Sequence, residues 1–149
     1  MEIALKGKHA LVGGSSRGIG LAIARQLARS GARVTLAARS EERLAALVAE
    51  LGRETGLSHG YLAVDYTDLG TYRNRIEAFL REDPVDILVN NTQGPPAGTS
   101  LEMGPDDYQQ AFELLYGAAY TLKFASKLRA ERKAAHAAAV PRPRSSGRS

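Results

Sequence analysis

The sequence predicts an α/β fold, a doubly wound parallel sheet of about four strands with flanking helices. Three observations predict it. Short apolar or β-branched runs alternate with segments of helical periodicity, the pattern of a parallel sheet covered by helices. The stretch GGSSRGIG, residues 13–20, stands directly between the first such run and the first helical segment. The chain of 149 residues is 44% hydrophobic and 24% charged, which suits one core, since a chain of this size buries roughly 68–70% of its unfolded surface.

The elements follow in order. HALV at 9–12 is the first strand, and the helix after the glycine stretch has Ile19, Ala22, Ile23 and Leu27 as its predicted buried stripe. Gly31 ends that helix. RVTLAA at 33–38 is the second strand. The second helix opens on Glu41 and Glu42, acids that suit its positive end, buries Leu44, Leu47, Val48 and Leu51, and stops at Gly56. SHGYLAV at 58–64 is the third strand, and the third helix buries Tyr72, Ile76, Phe79 and Leu80 before Asp83-Pro84 closes it. DILV at 86–89 is the fourth strand. A fourth helix, from about 106 to 127, carries Tyr108, Ala111, Phe112 and Leu115 to cover a sheet face. Right-handed crossovers between such strands leave a ligand crevice beyond their carboxyl ends.

Charge is placed unevenly. Residues 120–149 hold eight Lys or Arg against the single acid Glu131, whereas the preceding 119 residues carry twelve basic and fifteen acidic side chains. A nucleic-acid partner would rest on that tail alone, which has no interleaved aromatics for base stacking, so nucleic-acid binding is not expected. No run approaches the roughly 18 apolar residues of a membrane span. The opening MEIALKGKHA lacks the layout of a secretory signal and the chain has no cysteine, which together point to the cytoplasm.

In the glycine stretch the spacing is Gly14-Ser15-Ser16-Arg17-Gly18-Ile19-Gly20. Glycine there permits a tight turn out of the strand, close approach to a pyrophosphate and close packing of the helix start. The stretch resembles the T-G-x-x-x-G-x-G loop of the short-chain dehydrogenase/reductase family, with Gly13 where that family often has Thr. The resemblance implies a Rossmann-like fold and a bound dinucleotide cofactor. The second strand ends in Ala38-Arg39-Ser40, with no acid to take a ribose hydroxyl. Arg39 and Arg17 suit a 2′-phosphate, so NADP is expected over NAD; a solvated role for Arg39 is the alternative. AVDYTD resembles the family's stretch after the third strand, which implies Asp65 and Tyr66 beside the adenine. LVNNTQG resembles the family's N-N-A-G: Asn90 and Asn91 match, Thr92 replaces Ala, Gln93 stands where Gly is usual, and Gly94 follows one place late.

The family's catalytic tyrosine, followed by lysine four residues on, has no match. None of the six tyrosines has Lys at that spacing, Tyr120 and Lys123 are three apart, and the family's helix asparagine falls near Leu114 or Leu115. No catalytic residue and no metal ligand is therefore assigned. The resemblance runs from about 5 to 127. It divides the chain into a partial dinucleotide-binding domain, 1–127, and a basic tail, 128–149, expected to be disordered because Pro141 and Pro143 stop any helix and little apolar surface remains. That tail reads as a shifted frame or early stop in a longer gene, or as a natural extension. In the expected order, third-second-first-fourth, the fourth strand is left as an open edge and the last helix is uncovered, so self-association is expected. Two functional readings stand: the NADP-binding part of an oxidoreductase acting on a carbonyl or alcohol, or a catalytically inactive NADP-binding module.

Overall fold

In the computed structural model, which describes residues 3–92, 94 and 97–139, strands and helices alternate strictly. They are β1 (His9–Gly13), α1 (Gly18–Arg29), β2 (Arg33–Ala38), α2 (Glu41–Thr55), β3 (Gly60–Ala63), α3 (Leu69–Glu82), β4 (Ile87–Val89) and α4 (Pro105–Ala139). All pairings are parallel, in the order β3-β2-β1-β4. Ala10 pairs with Val34 on one side and Ile87 on the other, so the chain moves outward from β1 in both directions. The switch point lies between β1 and β4, where a doubly wound sheet opens its crevice.

Side chains of β1 alternate between two cores, as the two-residue period of a strand requires. Ala10 and Val12 join Val34, Leu36, Ala24, Ala28, Leu44, Leu47 and Leu51 under α1 and α2. Leu11 and Ala37 join Tyr72, Ile76, Leu80, Phe124 and Leu128 under α3 and α4. The stripes expected of α2 and α3 are the ones buried, with Val48 and Phe79 at their margins. Gly56 ends α2 in the left-handed conformation (φ 71°), which L side chains adopt at a cost.

Two stripes differ from expectation. Helix α1 buries Gly20, Leu21, Ala24 and Ala28, whereas Ile19 is 74% exposed and Ala22 is exposed. The small residues let the helix lie close on the sheet, which moves the larger ones to its flanks. Helix α4 buries Gly117, Thr121, Phe124 and Leu128, leaving Tyr108, Phe112 and Leu115 at 57%, 63% and 69% exposure. It seats its small residues against α3 and turns the aromatic stripe outward.

Helix α4 also runs past residue 127, where the sequence places the start of the tail, and continues to Ala139. Over 35 residues it is about 52 Å long. Alanine is the strongest helix former, which favours AAHAAA as helix. Leu128 is buried, Arg132 Nη2 donates to the Leu80 carbonyl at 3.1 Å, and Lys127 pairs with Glu131 one turn on. Residues 140–149, the rest of the expected tail, lie outside the described residues.

Candidate functional site

At the carboxyl end of β1 the chain turns at Gly14 (φ 57°) and again at Gly18 (φ 57°), a left-handed conformation that glycine reaches without strain. The start of this turn is pinned to Asn91, two residues past the end of β4. Asn91 Nδ2 donates toward the carbonyls of Gly13 (3.3 Å) and Gly14 (3.4 Å). A Cβ on Gly14 would lie 2.6 Å from the Asn91 carbonyl oxygen, and one on Gly20 would lie 2.7 Å from Asn91 Nδ2 and closer still to the Gly14 carbonyl. Gly14 and Gly20 are thus required by the loop's own packing on Asn91. Gly18 differs: among the described residues, nothing stands within 4 Å of the position its Cβ would take.

Of the polar side chains in the turn, Ser15 is fully buried and its hydroxyl accepts from the Ala37 N–H at 2.9 Å, tying the turn to β2. Ser16 contributes its carbonyl, which accepts from Arg43 Nε at 3.1 Å. Arg43 was not among the residues singled out from the sequence; its place on the first turn of α2, four residues after Arg39, is the signal that could have found it. Arg17 and Arg39 are both exposed on this rim.

Helix α1 starts without a cap. Arg17 precedes it in extended conformation and makes no side-chain cap bond, and the first turn holds no acid. The first helical bond runs from Leu21 N–H to the Arg17 carbonyl at 3.3 Å, so the N–H groups before it point out of the helix. Ile19 extends beside them into solvent. By contrast, Ser40 caps α2 by accepting from Arg43 N–H at 3.4 Å, and Asp68 caps α3 by accepting from Thr71 N–H at 3.1 Å.

Other predicted residues take several roles. Asp65 is exposed and accepts from the N–H and hydroxyl of Thr67, at 2.9 and 2.8 Å, closing its own turn. Tyr66 points inward: its ring packs on Tyr72 with centroids 4.6 Å apart, and burial pushes its hydroxyl well above the usual phenol range, reinforced by Tyr72. Asn90 Nδ2 donates to the Ala118 carbonyl at 2.9 Å, joining β4 to α4. Thr92 is half-buried and Gly94 exposed beyond Asn91, while Gln93 lies outside the described residues. The Tyr120 hydroxyl donates to Glu77, which raises its pKa, and Arg73 lies over the ring at 4.6 Å. Lys123 is exposed. Among the described residues there is no cluster of metal-ligating side chains and no helix long and apolar enough to cross a membrane.

Comparison with known proteins gives a consistent result. The family model described as short chain dehydrogenase matches residues 8–135. The chain is 40% identical over 100 residues to dehydrogenase/reductase SDR family member 13 of Homo sapiens, covering 66% of this chain and 26% of that protein. It is 36% identical over 112 residues to 7alpha-hydroxysteroid dehydrogenase of Clostridium sardiniense, covering 74% and 42%. Among solved structures it is similar to L-sorbose reductase from Gluconobacter frateurii complexed with NADPH and L-sorbose, at 35% identity and a TM-score of 0.73, covering 82% of this chain and 47% of that one. A 3-oxoacyl (acyl-carrier-protein) reductase from Agrobacterium tumefaciens C58 with NADP bound gives 35% identity and a TM-score of 0.74, with the same coverages of 82% and 47%. The chain spans less than half the length of each of these proteins.

Proposed function

This chain belongs to the short chain dehydrogenase family, and on that premise we propose that it is the NADP-binding part of an oxidoreductase acting on a carbonyl or alcohol. The observation that carries the proposal is the start of α1, which no side chain caps and which follows a Gly18 with open space beside it among the described residues, on the loop leaving β1 next to β4. A helix N-terminus of this kind offers N–H donors and a partial positive charge to a phosphate. The backbone of Gly14, Ser15, Ser16, Arg17, Gly18, Ile19 and Gly20 would hold the pyrophosphate. Arg17 and Arg39, with Ser40, would take the 2′-phosphate, while Arg43 holds Ser16 in place. Asp65 and the backbone of Tyr66 would border the adenine side, and Asn91, Thr92, Gln93 and Gly94 the nicotinamide side. When bound, the cofactor supplies hydride transfer at the nicotinamide ring.

Fluorescence titration tests this reading. NADPH is expected to bind at least about tenfold more tightly than NADH, since charge-assisted bonds to the extra phosphate are worth about 1.4 kcal/mol or more. Arg39→Ala should erase most of that preference. Equal affinities in the parent chain would refute the assignment of Arg17 and Arg39.

A second reading, an NADP-binding module without turnover, is favoured by the tyrosines. None of the six has lysine four residues on, and Tyr120 has its hydroxyl held by Glu77. General acid/base help worth roughly 10²–10⁴-fold is then missing from these 149 residues, and the same preparation should oxidise NADPH only at background. Self-association belongs to the same proposal. Tyr108, Phe112, Leu115 and Tyr116 face outward from α4, and β4 is the edge of the described sheet. Light scattering should give a multiple of the 16.0 kDa chain mass, and a monomer at micromolar concentration would contradict it.

A further inference from the structure

Resting on the cofactor reading above, we propose that Tyr66 is a positioning residue for the dinucleotide site, a prop that holds the glycine turn from beneath. Its side chain lies in a slot between two glycines on different elements. At the hydroxyl end, a Cβ on Gly13 would lie 2.9 Å from the Tyr66 oxygen and 2.8 Å from the Asn91 carbonyl oxygen. At the ring edge, a Cβ on Gly117 would lie 3.0 Å from Tyr66 Cδ1. The space that a side chain at position 13 would fill is therefore occupied by the tyrosine tip and the Asn91 backbone together.

The rest of the slot is fixed. The Tyr72 ring covers Tyr66, and the Tyr72 hydroxyl is hydrogen-bonded to Thr121, whose own hydroxyl donates to the Gly117 carbonyl at 3.0 Å. A cavity of about 10 Å³, room for about one water, is bordered by Gly13, Tyr66, Tyr72, Asn90 and Thr121. A continuous line of contact thus runs from Gly117 on α4 through Tyr66 to Gly13, and from there to Asn91, Gly14 and Gly20. Close-packed interiors transmit small displacements along such a line. The packing of α4 accordingly sets where the turn's N–H groups point.

The test compares Tyr66→Phe and Gly117→Ala with the parent chain. Tyr66→Phe removes the tip and keeps the ring; Gly117→Ala pushes on the ring from α4, at the other end of the side chain from the turn. Each is read by backbone amide NMR shifts without ligand, by NADPH titration, and by thermal unfolding to confirm folding. Both variants are expected to move the amides of Gly13, Gly14 and Asn91, to leave those of Arg39 and Ser40 in place, and to weaken NADPH by about three- to tenfold. Unmoved Gly13 and Asn91 amides with unchanged NADPH affinity, whatever the melting temperature does, would overturn the proposal and reduce Tyr66 to core filling. A parent chain that fails to bind NADPH, while the same amides move in both variants, would overturn the cofactor reading and leave the prop standing.

Discussion

At the carboxyl end of the sheet the chain turns on glycine, starts α1 without a side-chain cap and, among the described residues, leaves the space beside Gly18 open, whereas at the amino end nearly every polar group named finds a partner within the fold. His9 Nδ1 donates to the Pro84 carbonyl at 2.7 Å, and Nε2 accepts from the Thr35 hydroxyl at 2.8 Å. Arg33 grips Asp83 with two bonds, one of 2.7 Å. His59 Nδ1 accepts from the Val34 N–H at 3.1 Å. Groups paired in this way stabilise the fold and have little left to offer a ligand. The difference teaches that the polar groups at the amino end are engaged within the fold, whereas at the carboxyl end the start of α1 keeps N–H groups that no side chain caps, where the proposed phosphate would bind.

The largest effect should come from breaking the carboxyl end. Gly20→Ala places a methyl against the Gly14 carbonyl, a backbone group with little freedom to give, and against the Asn91 side-chain amide that hydrogen-bonds to the turn. Overpacking of this kind costs about 1–3 kcal/mol, and NADPH affinity should fall by roughly tenfold to a hundredfold. Titration of the variant checks it; parent-like affinity would mean that the glycine turn does not shape the site.

A smaller effect sharpens the contrast from the amino end. Burial is the main cause that lowers the pKa of both His9 and His59, with Arg33 adding to it, while the Pro84 bond and the Asp83 and Asp86 charges oppose the shift at His9. Because the folded values lie below the unfolded one, stability is complete above about pH 6.5 and is lost as pH falls, when the unfolded chain takes up protons that the folded chain refuses. Protonating His59 Nδ1 would also set a proton against the Val34 N–H. Thermal unfolding between pH 7.5 and 5 should show a falling midpoint, less steep in His59→Gln. A flat profile would show that these histidines do not stabilise the amino end.

Most of the fold was legible because it rests on strong local signals. The apolar runs at 9–12 and 33–38, the stripes of α2 and α3, and the order of the strands all follow from periodicity and crossover handedness. The phase of α1 was not legible, since Ile19 outweighs Gly20 in any hydrophobic pattern, yet close packing on the sheet selects the smaller residue. Nor was the reach of α4, whose alanine-rich continuation carries no apolar stripe but has high intrinsic helix propensity. In the site, the glycines and Asn91 were legible as a motif. The packing of Gly14 on Asn91, the binding of Ser16 by Arg43 and the inward turn of Tyr66 depend on residues far apart in sequence, 77 positions for Gly14 and Asn91 and 27 for Ser16 and Arg43, which no local pattern reveals.

Whether the carboxyl end is the binding end is tested most directly by amide hydrogen exchange with and without saturating NADPH. Protection should rise at residues 14–21 and at Asn91 and Thr92, while the segments around His9, Arg33 and Asp83–Asp86 exchange at unchanged rates. Equal protection at both ends of the sheet, or no change at the glycine turn, would contradict it.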